Sequence, residues 1–155
     1  MTGKLTHMDA AGQAGMVDVS GKPKMHRVAV AQACFRARAE TLDRVMQGDL
    51  PKGEALAVAR IAGIQSAKSV DRLIPLCHTL ALQHVSVEFH RDGPQCIRIE
   101  ASVVVVARTG VEMEALAAAS AAALTLWDMT KAIDSELRID EVVLLSKTKT
   151  PLPEA

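Results

Sequence analysis

The segment from Val111 to Ile133 limits the fold more than any other stretch, because it is a nearly unbroken Ala- and Leu-rich run with strong helix propensity and few large side chains. A helix so poor in bulk must be approached closely by its neighbours, and Thr109-Gly110 supplies the break before it. Its charges sit at the two ends, Glu112 and Glu114 at the start and Asp128 and Lys131 near the finish. A solvated i, i+3 ion pair is the ordinary state of Asp128 and Lys131. Charges that interrupt a helix whose sides should be mostly covered are nevertheless candidates for function. About 21 Å of unbroken helix separates Glu114 from Asp128. The two ends therefore cannot flank one small reacting centre within one chain: either the substrate is long, or the site is shared between neighbouring chains.

The rest of the chain supplies a sheet for this helix. Met1 to Pro23 has no sustained period and several glycines, and reads as an irregular arm over 1–23. His26 to Ala39 reads as a strand, Glu40 to Gln47 as a helix ended by Gly48, and Lys52 to Ser69 as a helix with Leu56, Ala59 and Gly63 on a close-packing face. Pro75 ends a short helical piece. Val85, Val87 and Phe89 alternate with polar residues, Asp92-Gly93-Pro94 turns, and Ile97 to Val106 returns as a strand that becomes apolar on both faces from Val103 onward. Arg138 to Leu145 is a last strand, followed by a tail over 148–155. The order β, α, α, β, β, α, β predicts an α+β, ferredoxin-like antiparallel sheet with helices packed on one face, built as a single domain over 1–155. Small Ala-rich helices leave room for subunits to approach, which predicts an oligomer.

Composition removes several function classes. Lys and Arg total 18, as do Asp and Glu, so no global field draws the chain to nucleic acid or to a membrane. Two Phe, one Trp and no Tyr leave almost no surface on which bases could stack. No run approaches the roughly 20 apolar residues of a membrane helix, and Met1 to Ala10 lacks the apolar stretch of a signal peptide. Cys34, Cys77 and Cys96, an odd count with no C-x-x-C, are not the pattern of a disulfide framework. These features predict a cytoplasmic protein in a reducing compartment, or one whose targeting segment has been removed.

Local charge must then carry any anion chemistry. Lys52, just before a helix, can seat an ammonium beside helix N-terminal amides, a phosphate-binding arrangement, although most lysines at such places are merely exposed. No P-loop and no G-x-S-x-G elbow is present. Pro75-Leu76-Cys77-His78 places a Cys-His pair on a constrained loop, where His78 can donate to phosphate or move a proton; a packed thiol and an ordinary loop histidine are the plain alternative. Adjacent Cys77 and His78, and His84 and His90 on one strand face, lack zinc-ligand spacing, so no metal site is expected.

Taken in order, the motifs of this chain resemble those of the cyclic pyranopterin monophosphate synthases, the MoaC family of molybdenum cofactor biosynthesis. They are Leu5-Thr6-His7, Met16-Val17-Asp18-Val19-Ser20, Lys52-Gly53, Ala59-Arg60-Ile61-Ala62-Gly63-Ile64, Ile74-Pro75-Leu76-Cys77-His78, Thr109-Gly110-Val111-Glu112-Met113-Glu114-Ala115-Leu116, Asp128-Met129 and Lys131-Ala132. The resemblance implies a lyase without a cofactor that rearranges 3',8-cyclo-7,8-dihydroguanosine 5'-triphosphate, a cyclic nucleotide derived from GTP, closes a cyclic phosphate and releases diphosphate. It further implies a homohexamer, a trimer of dimers with interfacial sites. By matching positions it assigns Asp128, Lys131 and Lys52 to catalysis; Leu76, Cys77, His78, Met113 and Glu114 to the substrate site; and Glu112, Lys147 and Arg27 to completing that site.

These residue types suit that chemistry. Lysines bind a triphosphate and stabilise charge developing on departing diphosphate without requiring a metal. Lys131 is the expected proton-transfer group, oriented by Asp128, with Lys52 neutralising phosphate. Glu112 and Glu114 suit the amino and ring N–H donors of a guanine-derived base. The chain departs from the family pattern where Lys147 is followed by Thr148-Lys149-Thr150-Pro151 instead of a Gly-Gly-Lys-Ser-Gly tail, leaving Lys149 as the candidate substitute. It departs less consequentially at Met25, Trp127 and Thr130, where the family commonly has Thr, Tyr and Cys. The competing reading is a non-catalytic, oligomeric nucleotide- or pterin-binding paralogue.

Overall fold

The computed structural model describes residues 13–153. Two long strands set the frame: β1 (Met25–Arg36) and β3 (Cys96–Ala107) pair antiparallel along their whole length, Met25 opposite Ala107 and Arg36 opposite Cys96. β2 (His84–Arg91) joins the outer side of β3, and β4 (Arg138–Thr150) the outer side of β1, giving the order β2-β3-β1-β4. Among the described residues there are four helices: α1 (Ala39–Gln47), α2 (Ala55–Ala67), the single turn α3 (Val70–Leu73) and α4 (Glu112–Thr130). The result is the expected α+β, ferredoxin-like architecture.

Side-chain size explains how α4 lies on the sheet. β1 presents Ala29, Ala31 and Ala33, and β3 presents Ile97, Ile99, Ala101, Val103 and Val105, all essentially inaccessible, to an α4 stripe of Ala115, Ala118, Ala119, Ala122, Ala123 and Leu126. α2 then packs against α4 through Ala55, Ala59, Gly63 and Ala67. At Gly63 the approach is so close that a Cβ would stand 2.9 Å from the Ala118 carbonyl and 3.0 Å from Val87. Gly48, in the left-handed conformation, closes α1 as expected.

Three expectations need correction. The last strand does not stop at Leu145: Ser146 to Thr150 continue it opposite Val30 to His26, so the stretch from Thr148 to Thr150 is paired backbone at a sheet edge. Two register shifts break β4's alternation, one with Glu141 at positive φ, and Arg36 spans the second by bonding Asp140 and Glu141. Cys34 and Cys96 are joined as a disulfide, contrary to the reading of their count and spacing. The register brings this about: Cys34 faces Arg98 while Arg36 faces Cys96, so the two cysteines are diagonal neighbours on the sheet face away from the helices. With that pair bonded, cysteine usage no longer argues for a reducing compartment. Of the arm, residues 13–23 contain no helix or strand beyond an isolated bridge at Ala14, and Leu5-Thr6-His7 lies outside the described residues.

Candidate active site

The start of α4 opens onto a cavity of about 560 Å³. Leu76, Cys77 and His78 reach it from the loop after α3, Glu112, Met113 and Glu114 from the first turn of α4, and Lys147 from β4. These predicted site residues are thus assembled by the fold from three separated segments. The arm closes one side: the His78 ring donates through Nε2 to the Val17 carbonyl at 2.8 Å, so one of its nitrogens tethers the arm. Val17, Val19 and Lys22, together with Thr109 and Gly110, line the same cavity and were given no role from sequence. The motifs Met16 to Ser20 and Thr109-Gly110 hold four of these residues; Lys22 lies outside both.

The two carboxylates here differ in charge preference. Burial pushes the Glu112 carboxyl up, but the hydrogen bond from Lys147 at 3.0 Å, together with its own backbone amide and the charges of Lys147 and Arg27, brings it below the ordinary carboxylate range. A Cβ at Gly110 would run into the Glu112 carboxylate, so glycine makes room for this ion pair. Glu114 is only 4% exposed and forms no ion pair among the described residues; burial raises its pKa and the charges of Glu112 and Asp71 add to that, against a backbone hydrogen bond. Burial, with the charges of Glu114 and Asp71, likewise pushes the Cys77 thiol up. Cys77 is therefore a wall of the cavity and a poor nucleophile at neutral pH. Arg27, also predicted for this site, does not line the cavity; its charge acts on Glu112 while its Nε and Nη2 donate to the carbonyls of Ala107 and Arg108.

A second cluster forms at the far end of α4. Asp128 accepts from Lys131 at 2.6 Å and from Lys52 at 3.1 Å, and Lys52 also bonds the Asp128 backbone carbonyl at 2.8 Å. Those two hydrogen bonds, Lys131's first, with the two ammonium charges, hold the Asp128 carboxyl below its usual range. Lys52 does not sit at the α2 amides as expected, because Glu54 caps them, accepting from Leu56 and Ala57. The turn at Pro51 to Gly53, with Gly53 at positive φ, turns Lys52 toward α4 instead. Behind the cluster the buried Asp134 accepts from the Arg38 and Glu136 amides and pairs with the Arg38 side chain, fixing the turn that carries Lys131.

The structure therefore brings the predicted residues into two groups rather than one, with the length of an unbroken α4 between them. The two groups differ in character: one sets carboxylates and apolar walls beside Lys22, His78 and Lys147, the other holds Asp128 between two ammonium groups. No group of three or more His, Cys, Asp or Glu side chains among the described residues is arranged to hold a metal ion.

Comparison with known proteins bears on what these groups do. A family model described as the MoaC family matches residues 16–150. The chain is 52% identical over 145 residues to a cyclic pyranopterin monophosphate synthase of Thermomicrobium roseum, covering 93% of this chain and 87% of that protein. A relative of the same name from Roseiflexus sp. is 53% identical, with 93% and 92% covered, and one from Chloroflexus aurantiacus is 52% identical, with 93% and 89% covered.

Proposed function

This chain belongs to the MoaC family, and from that premise we infer that it is a cyclic pyranopterin monophosphate synthase, a lyase of molybdenum cofactor biosynthesis that converts 3',8-cyclo-7,8-dihydroguanosine 5'-triphosphate to the pyranopterin and diphosphate. The observation that carries the reading at the level of residues is the division of charge along α4, carboxylates at its start and an Asp–Lys–Lys cluster at its end. A guanine-derived substrate has the matching division, N–H donors on its base and negative charge on its phosphates.

In this mechanism Glu112 and Glu114 hold the base, Met113, Leu76 and Cys77 wall it, and His78 and Arg27 with Lys147 line the route toward the phosphates. Lys131 transfers the proton, held by Asp128 at 2.6 Å, while Lys52 neutralises charge on the inner phosphate, the one that closes the ring, as diphosphate departs. No resident cofactor takes part. The two clusters meet between subunits of a homohexamer, a trimer of dimers, the start of α4 from one chain facing the end of α4 from another. The reaction belongs in the cytoplasm, where nucleoside triphosphates are made. No helix among the described residues is long and apolar enough to cross a membrane.

The test is to incubate the purified protein with the enzymatically prepared cyclic triphosphate, without added metal, and follow diphosphate and pyranopterin together. Product is expected from the parent, with turnover at saturating substrate lowered roughly 10²-fold or more in Lys131→Ala. Near-normal turnover by that variant would remove Lys131 from proton transfer. Tight binding without product from the parent would make the protein a binding paralogue.

A further inference from the structure

On the other side of the Lys147–Glu112 ion pair lies a separate cavity of about 230 Å³, enclosed by β1, β4 and the segment leading into α4. It shares Gly110, Glu112 and Lys147 with the larger cavity, and adds Arg27 and Lys149. The β1–β4 register explains why these side chains converge: Lys147 stands opposite Ala29 and Lys149 opposite Arg27. Ala29 is buried beneath the helices, so Arg27, Lys147 and Lys149 share its side of the sheet.

As folding chemistry this arrangement is unfavourable. Arg27 and Lys149 are like charges directly opposite across paired strands, and Lys147 is their neighbour two residues along. The lining carries three cations against one carboxylate. Arg27 is fixed by the carbonyls of Ala107 and Arg108, and Lys147 is engaged by Glu112. Lys149 has no hydrogen bond or ion pair among the described residues, so its ammonium is available to a ligand. A compact polyanion would remove the repulsion that the fold otherwise tolerates.

We propose that this smaller cavity is a diphosphate subsite in which Lys149, with Arg27 and Lys147, binds the outer two phosphates of the substrate while the base occupies the larger cavity. The inference rests on the synthase reading for the identity of the substrate, and a single ligand spans both cavities past the Lys147–Glu112 pair that they share. It also gives the altered tail a purpose: Lys149 is carried by a paired strand, where its position is set by register, instead of by a glycine-rich segment.

The experiment titrates inorganic diphosphate into the full-length protein by calorimetry at fixed salt, in the parent and in Lys149→Ala, Lys149→Arg and Lys68→Ala. The dissociation constant should rise roughly tenfold in Lys149→Ala, return to within about twofold of the parent in Lys149→Arg, and be unmoved in Lys68→Ala, whose exposed lysine lies away from the cavity. In turnover, KM for the cyclic triphosphate should rise by the same factor with kcat within about twofold. Equal diphosphate affinity in the parent and Lys149→Ala overturns the subsite, as does equal weakening by Lys68→Ala, which would report bulk charge. A shifted diphosphate affinity with an unchanged KM also overturns it, because the site would then hold free diphosphate and not the substrate's phosphates. Lys149-dependent diphosphate binding in a protein that turns over no substrate would keep the subsite and sink the synthase reading instead.

Discussion

Glu114 is held against its own electrostatics. Its side chain is buried, the charges of Glu112 and Asp71 act to raise its pKa, and burial raises it most. A carboxyl whose pKa is higher folded than unfolded loses stability for the protein as pH rises through the window between those two values. The amide in Glu114→Gln has no charge to strand, so that variant should melt at a higher temperature than the parent near pH 7, with the difference closing in acid below about pH 4. The same change removes an acceptor for the N–H donors of the base, and turnover should fall roughly 10²-fold. Thermal melts at the two pH values beside the diphosphate-release assay check this. A destabilised variant at neutral pH would mean that Glu114 has a structural partner and is not kept for its ligand. Asp128 shows the opposite balance: exposed and bonded by two lysines, it stays ionised to lower pH than an ordinary aspartate.

Among the elements, the α2–α4 contact depends most on a single atom's absence. Replacing Gly63 by Ala improves helix propensity by about 1 kcal/mol. The new Cβ would meet the Ala118 carbonyl at 2.9 Å, a backbone atom that cannot turn aside, and Val87 at 3.0 Å. Overpacking of this kind costs about 1–3 kcal/mol, so Gly63→Ala should lower stability by about 1 kcal/mol at mid-range and at most about 2 kcal/mol, read as a lower urea midpoint at unchanged m. This contact was legible in the sequence because Ala59 and Gly63 repeat at helical spacing, and β3 was legible because Ile97, Ile99 and Ala101 alternate with Arg98, Glu100 and Ser102. The end of β4 was not. Lys147 to Thr150 pair on one side only, at an exposed edge, so no burial pattern marks them as a strand. The Cys34–Cys96 bond was hidden for a related reason: it depends on register between strands, and neither residue count nor spacing encodes register.

At the scale of the whole molecule, the apolar surface left uncovered is concentrated on particular elements. Val142 to Leu145 are exposed on the edge strand β4, Val58 and Ile61 on α2, and Leu124 and Trp127 on α4. Side chains of this size on an unpaired edge and on two helix faces are what subunit interfaces use, and they accord with the proposed homohexamer. The sequence identified the members of both charged clusters through their motifs, and the rise of an α-helix already kept the clusters apart. What it could not supply was their partition among chains, since spacing along one helix carries no information about a second copy. Subunit mixing tests that partition directly. Glu114→Ala damages the start of α4 and Lys131→Ala its end, so each protein alone should be nearly inactive. If every site takes one cluster from each of two chains, random co-assembly of equal amounts gives an intact pair at about a quarter of the sites. Co-expressed and co-purified, the two variants should therefore recover about a quarter of parental turnover, whereas a site contained within one chain would recover none, because neither polypeptide carries both clusters intact.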